Sequence, residues 1–357
     1  MKTKLITFTL TSTVFATLML SGVAGSAWSA EPSQVVILAT GGTIAGGGDS
    51  SVAATYQAAK VPVDQLINAV PQIHELAEIR GEQVAQIASQ AMTTAVWLQL
   101  ARRVNDYLQQ DSVSGVVITH GTDTMEETAY FLDLVIQSNK PVVLVGSMRP
   151  PTSLSADGAL NLYNAVAVAA NPRAQGYGAM IAMNETLYAA RDVTKSHTTA
   201  VDTFQSRNQG ALGRVEYGVT KFYRAPRPSN PSPFFIDKLE QLPQVDIVYG
   251  YANASPVPVN ALVEGGSQGI VHAGVGNGNL FPTVEQALVD ARKRGVVIVR
   301  TSRVGSGQVL RNAEVDDDQW DFVVASDLSP QKARIVLMLA LDKKMSTKLL
   351  QELFNIL

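Results

Sequence analysis

The chain has no cysteine. Disulfides, thiol nucleophiles and cysteine-ligated metals are therefore excluded, and core and subunit packing must hold the fold. Histidine is scarce, with four residues and no His-x-x-x-His spacing, so no metal site is expected. Excess positive charge is missing too. Lys and Arg number 28 against 31 Asp and Glu, the formal net charge is −3, and the basic residues are scattered. That balance argues against nucleic acid as a partner, and no basic amphipathic run suggests a membrane surface. Both common phosphate loops are absent. Gly41 and Gly46 have the spacing of a P-loop, but Gly47 and Gly48 stand where Lys and Ser/Thr belong, and no GxGxxG fits. No cofactor is expected.

A long membrane span is also lacking. Lys2 and Lys4 precede an apolar stretch, Leu5 to Leu20, interspersed with Ser and Thr, and small residues follow from Ser21 to Ala30. The run is short for a span and no charged stop-transfer flank follows it. Residues 1–29 read as a secretory signal peptide, cleaved after Ser29 or, as an alternative, after Ala27, and the mature chain is expected in the periplasm.

What remains is an ordinary globular composition, 46% hydrophobic and 17% charged, in 357 residues. That length suggests two domains. Gln34–Ala39, Gly115–Thr119, Pro141–Gly146 and Gly178–Met183 are continuously apolar and rich in β-branched residues, as buried strands are. Val96–Leu108 and Thr124–Ile136 have helical periodicity, and Thr124 to Glu127 has the form of a capping box. Strand–helix alternation predicts an α/β fold with a parallel sheet covered on both faces, in a large N-terminal domain at 30–224. Ala225–Pro233 holds four prolines and no periodicity, and residues 225–243 read as a linker. Alternation resumes at 244–357. Strands at Val245–Gly250, Gly269–Ala273 and Gly295–Arg300 and helices at Val284–Arg294, Pro330–Leu341 and Ser346–Ile356 predict a smaller C-terminal α/β domain of flavodoxin or Rossmann type.

Ligands of such sheets bind beyond the carboxyl ends of the strands. Ala39–Gly48 follows the first strand and presents Thr43 in a glycine-rich turn. A hydroxyl beside backbone N–H groups suits acyl transfer, and a structural turn with an incidental threonine explains the segment equally well. Val117–Glu127 sets Thr122 and Asp123 where a strand gives way to a helix. Asp123 there is a helix cap or a carboxylate aimed at an amine. His120 reads as a packed histidine. Ser89 and Gln90 end another strand with small polar groups suited to a zwitterion. Lys195 gains interest only beside Thr122 and Asp123, where a lysine held by a carboxylate can take a hydroxyl proton. Asn277 and Asn279 contact a ligand or occupy left-handed turns. The acidic run Asn312–Asp318 reads as a solvated loop.

At these residues the chain resembles the bacterial type II L-asparaginases and the related periplasmic glutaminase-asparaginases, over about Gln34 to Leu357. ATGGTIAG at Ala39–Gly46 and VITHGTDTMEETAYF at Val117–Phe131 carry the resemblance, supported by GEQV, MRP, SADG, RDVTK, GVGNGN, NAEVDD and SPQKAR. The resemblance implies that Thr43 is the nucleophile and Tyr56 its activating neighbour. It implies proton transfer and water activation by Thr122 and Lys195, and ammonium binding by Asp123. It implies substrate contacts from Ser89 and Gln90, and from Glu314, supported by Asn279, reaching a neighbouring subunit's site in a homotetramer. L-asparagine is the implied substrate and L-glutamine the alternative. Gln90 and Asn279 resemble the asparagine-preferring pattern, whereas Ala54–Lys60 and Leu310–Glu314 resemble the glutaminase-asparaginases. Ala91 and Phe281 depart from residues frequent in the family. A periplasmic amino-acid-binding protein is a competing class, but it leaves the co-occurrence of Thr43, Thr122, Asp123 and Lys195 unexplained.

Overall fold

The structure is a computed structural model that describes residues 33–52, 55–226 and 232–357. The expected signal segment and the middle of the proline-rich stretch lie outside the described residues. Among the described residues no helix is long and apolar enough to cross a membrane.

Strand β1 (Gln34–Gly41) is buried along nearly its whole length. Its side chains divide between two cores: Val36 and Leu38 point into one, Val35, Ile37 and Ala39 into the other. A strand with helices over both faces has no polar side, which is why it reads as one apolar run. β3 (Val113–Thr119) repeats the division, with Val116 and Ile118 opposite Val117. β2 (Glu78–Ile87), β4 (Val142–Val145), β5 (Ala179–Met183), β6 (Thr186–Ala189), β9 (Gly213–Glu216) and β10 (Val219–Phe222) complete an eight-stranded sheet, in the order β10-β9-β6-β5-β4-β3-β1-β2. β7 (Val193–Lys195) and β8 (Phe204–Ser206) pair separately. Helices α1 (Val63–Asn68) and α4 (Gly158–Ala169) cover one face, α2 (Thr94–Leu108) and α3 (Met125–Val135) the other.

Strands β1 to β5 are mutually parallel. The expectation of a parallel sheet needs one extension, because β6, β9 and β10 add antiparallel pairs at the β5 edge and make the sheet mixed. The β5–β6 turn runs through Asn184 and Glu185, the β9–β10 turn through Tyr217 and Gly218, and all four residues have positive φ. A tight hairpin requires that backbone. Glu185 and Tyr217 are poor signals for it, so these strands escaped the sequence reading.

The second sheet is four parallel strands, β11 (Val245–Tyr249), β12 (Gly269–Gly274), β13 (Val297–Ser302) and β14 (Val323–Val324), in that order. Helices α5 (Val257–Glu264) and α6 (Pro282–Lys293) share a core with Ile270 and Ile298 on one face. A short helix, α7 (Asp317–Trp320), precedes β14, and α8 (Pro330–Asp342) and α9 (Thr347–Ile356) cover the other face. The core that contains α3 also contains Ile335 and Leu337 of α8 and Val271 and Val299 of this sheet. One continuous hydrophobic cluster thus joins the two sheets through α8.

Three local expectations change. Helix α2 starts at Thr94 rather than Val96, because the Thr93 hydroxyl accepts from the Val96 N–H. Thr124 does not cap α3; its hydroxyl donates to the Ser89 carbonyl, 2.8 Å away, and ties two loops together instead. The region read as a linker is docked at its far end. Phe234 and Ile236 are buried in the shared core, and Gln137 donates to the Phe234 carbonyl. The prolines masked this apolar anchor in the sequence.

Candidate active site at the carboxyl ends of β1 and β3

The parallel part of the large sheet has strand order 2-1-3-4-5. In that order β1 runs on to a neighbour on one side and β3 lies on the other, so a crevice opens beyond their carboxyl ends. The two signature segments leave the sheet at this place. Thr40 Oγ donates to the Thr119 carbonyl at 2.9 Å and fastens the strand ends together.

Glycine brings the two turns into contact. A Cβ on Gly42 would lie 2.3 Å from the Gly121 nitrogen, and one on Gly121 would lie 2.6 Å from Ser89 Oγ. Gly42 also has φ 84° and ψ −171°, a conformation essentially restricted to glycine. The turns that carry Thr43 and Thr122 therefore touch backbone to backbone, with Ser89 against the second.

Thr43 opens a single 3-10 turn, Thr43–Ala45, and is 7% exposed. Its hydroxyl is 2.8 Å from the Tyr56 hydroxyl, and either oxygen can donate. Tyr56 is set there by backbone pairing. Gly47 and Gln57 exchange hydrogen bonds of 3.0 and 2.9 Å, Ala59 donates to the Gly42 carbonyl, and Lys60 and Val61 donate to the Ala45 carbonyl. A Cβ on Gly46 would lie 3.1 Å from the Tyr56 ring, so the tyrosine rests on bare backbone.

The second group is built around Lys195. Its ammonium donates to Thr122 Oγ at 2.9 Å and to Asp123 Oδ1 at 2.6 Å. The lysine side chain is 16% exposed and the aspartate 57%, so the carboxylate faces the opening. Asp123 is placed by its own N–H, which donates to Ser89 Oγ at 3.2 Å. Gln90 follows on the same short turn, Ser89–Ala91, and is exposed. The structure thus gathers Thr122, Asp123, Lys195 and Ser89 in one network and pairs Thr43 with Tyr56.

Asn279 and Glu314 gather elsewhere. The Asn279 amide donates to Glu314 Oε2, and the Asn279 backbone pairs with Val275, all in the second sheet. Both loops hang on one buried ion pair. Arg300 donates to both carboxylate oxygens of Asp317 at 2.5 and 2.7 Å, with exposures of 1% and 0%. Arg300 also donates to the Gly278 carbonyl, and Asp317 accepts from the Asn312 N–H. The acidic run is accordingly not a loose solvated loop; Asp317 is its buried anchor. Asn277 does not take a left-handed turn; its side chain accepts from the Leu310 N–H, and Gly276 and Gly278 supply the positive φ angles.

His120 is fully enclosed. Its Nδ1 lies 2.7 Å from the Gly121 carbonyl, so Nδ1 carries the proton, and Nε2 accepts from the Thr128 hydroxyl at 2.9 Å. Thr128 in turn accepts from Trp97 Nε1. Burial drives the imidazole pKa down to about 4. Neutral and occupied on both nitrogens, it braces the Gly121 turn from behind. Glu126 was missed as a site residue. It is 4% exposed and accepts from the Lys195 backbone N–H at 2.6 Å. Its signal was a carboxylate among the buried residues of helix α3, beside Met125 and Ala129.

The class of protein is a hydrolase, as the comparisons with known proteins show. Residues 34–228 match the family described as "Asparaginase, N-terminal", and residues 244–354 match "Glutaminase/Asparaginase C-terminal domain". L-asparaginase 2 of Escherichia coli K12 is 51% identical over 324 residues, 90% of this chain and 92% of that protein. The glutaminase-asparaginase of Pseudomonas fluorescens biotype A is 50% identical over 347 residues, covering 95% and 96%. A crystal structure titled as a probable cytoplasmic L-asparaginase from Campylobacter jejuni superposes with a TM-score of 0.87 at 47% identity, covering 90% of this chain and 99% of that one. The chain belongs to the asparaginase family.

Proposed function

We propose that the mature protein hydrolyses the side-chain amide of L-asparagine to L-aspartate and ammonia, with Thr43 as nucleophile and L-glutamine as a second substrate. The observation that carries this reading is the pairing of two hydroxyl systems on touching turns: Thr43 with Tyr56 at 2.8 Å, and Thr122 with Lys195 at 2.9 Å. In the first half-reaction the Thr43 oxygen bonds to the amide carbon while Tyr56 takes its proton and hands its own phenolic proton on to the leaving nitrogen. The C–N bond then breaks, and nitrogen leaves as ammonia after gaining a proton. Water next attacks the acyl carbon, with Thr122 and Lys195 assigned to hold it and relay one of its protons; the ester C–O bond to Thr43 breaks, the Thr43 oxygen takes that proton and the hydroxyl is restored. Asp123 faces the opening with half of its side chain exposed and is assigned to the substrate ammonium. Ser89 and Gln90 are assigned to the carboxylate and amine.

Asn279 and Glu314 bond to each other in the second sheet. We assign them to the ammonium in the site of a neighbouring copy, within a homotetramer. The basic start and apolar run before residue 30 are assigned to export, with the periplasm as destination. Asparagine and glutamine differ by one methylene, which shifts kcat/KM by only about 10- to 200-fold in a typical pocket, so both are expected to turn over.

Purified mature protein should release ammonia from L-asparagine without added metal or cofactor. Thr43→Ala should lower kcat by at least about a thousandfold and still bind L-aspartate. Full activity in Thr43→Ala would remove the nucleophile assignment, and binding without turnover in the wild type would favour an amino-acid-binding protein instead.

A further inference from the structure

Lys195 sits on a strand too short to fix itself. β7 has three residues and, among the described residues, pairs with β8 alone. The segment that leads into it is held from the other domain. Arg191 and Asp327 form a two-pronged ion pair, with contacts of 3.1 and 2.6 Å. At the start of α8, Lys332 donates to the carbonyls of Arg191 at 2.9 Å and Val193 at 2.5 Å. Its neighbour Gln331 donates to Glu126, whose other oxygen receives the Lys195 N–H.

Lys332 is an expensive residue to keep. It is 2% exposed, and no carboxylate is within salt-bridge distance among the described residues. Its charge lies in the first turn of a helix, the end where the backbone dipole disfavours a cation. Burial lowers its pKa to about 8, against the pull of Glu126 and Asp192, and the Tyr130 ring lies 5.9 Å away. A methionine would fill the volume without these costs, and replacing buried charge by apolar bulk is often neutral or stabilising. What the lysine supplies in return is two hydrogen bonds to the carbonyls of the Arg191–Val193 segment, the backbone that leads to Lys195.

We propose that Lys332, with Gln331 beside it, is a positioning residue for the Lys195 amine: α8 fixes the Arg191–Lys195 backbone and so sets where Nζ meets Thr122 and Asp123. This rests on Lys195 acting in the reaction. The second domain thereby controls the proton-transfer group of the first through three carbonyl and carboxylate contacts.

The test is steady-state kinetics on the full mature chain, with melting temperature measured beside it. Lys332→Met should lower kcat by about 10- to 100-fold, the cost of a misplacement of about 1 Å. KM should change less than kcat, because Asp123, assigned to the ammonium, is also held by its own N–H on Ser89 Oγ. Gln331→Met should lower kcat by a smaller factor, about threefold to tenfold. Leu337→Ala, in the α8 core, should lower the melting temperature and leave kcat unchanged. If Lys332→Met gives no folded protein, Gln331→Met decides alone. Wild-type kcat in the folded variants overturns the proposal, as does a loss no larger than that of Leu337→Ala. Lys195→Met separates the two readings. If it is inactive while Lys332→Met is not, only the positioning role falls; if it is active, the role of Lys195 falls first.

Discussion

Two glycine-rich turns follow parallel strands in this protein, and they are held in different ways. The turn after β1 carries Thr43 and is fixed by backbone: Gly42 lies against Gly121, and Gly47 pairs with Gln57. The turn after β12 carries Asn279 and is fixed by charge, through Arg300 and Asp317. The first has no spare volume, because a Cβ would strike backbone that cannot step aside. The second is also close-packed at its base, where a Cβ on Gly274 would lie 2.4 Å from the Gly278 carbonyl carbon and Val275 pairs with Asn279, but it adds an ion pair whose removal strands a partner in the interior. A turn can thus be made rigid by closeness alone or by closeness with a buried charge, and only the second is vulnerable to loss of one ion-pair partner.

The largest expected effect tests the charged turn. Arg300→Met leaves Asp317 buried without its partner, a change that typically costs about 3–5 kcal/mol. Chemical denaturation should show that loss, and kinetics should show a raised KM, because Glu314 loses its frame. A melting curve like that of the wild type would mean that Asp317 finds another donor and that the turn stands without the pair.

Next comes the crowded turn. Gly42→Ala forces an unfavourable backbone, worth about 1–3 kcal/mol, and pushes Gly121 away. Activity should fall by about a hundredfold or more while the protein stays folded, since a displacement of about 1 Å suffices. An active Gly42→Ala would show that the Thr43 and Thr122 turns tolerate separation.

The smallest effect separates the two turns by pH. His120 backs the Gly121 turn against which the first lies, His272 is buried in β12 ahead of the second, and burial brings each pKa down to about 4, with Arg300 adding repulsion at His272. The unfolded chain titrates them near 6.5. Between those values the unfolded form binds more protons, so their contribution to stability is complete above about pH 6.5 and is lost as pH falls toward 4. His120 is bonded at both nitrogens, whereas His272 Nδ1 is buried with no hydrogen-bond partner among the described residues. His272→Leu should therefore fold and should flatten part of the fall in melting temperature across that window. An unchanged slope would assign the acid sensitivity to His120 and the carboxylates.

Much of this was legible in the chain. The strands β1, β3, β4, β5, β11, β12 and β13 announced themselves as apolar runs because both their faces are covered. Thr43, Thr122 and Asp123 stood out because they follow such runs directly. The hairpins at Glu185 and Tyr217 did not, since those residues take positive φ only under tertiary support. Phe234 and Ile236 were hidden by the prolines before them.

The sequence by itself determined which groups are available: two threonines, a carboxylate and a lysine after strand ends, no thiol, and glycines where backbone must come close. Only the tertiary structure decided how they meet. Lys195 is separated from Thr122 by 73 positions, and Glu126 from Gln331 by 205. Local periodicity has no term for such distances; they are set when α8 packs between the two sheets and a single core forms around it.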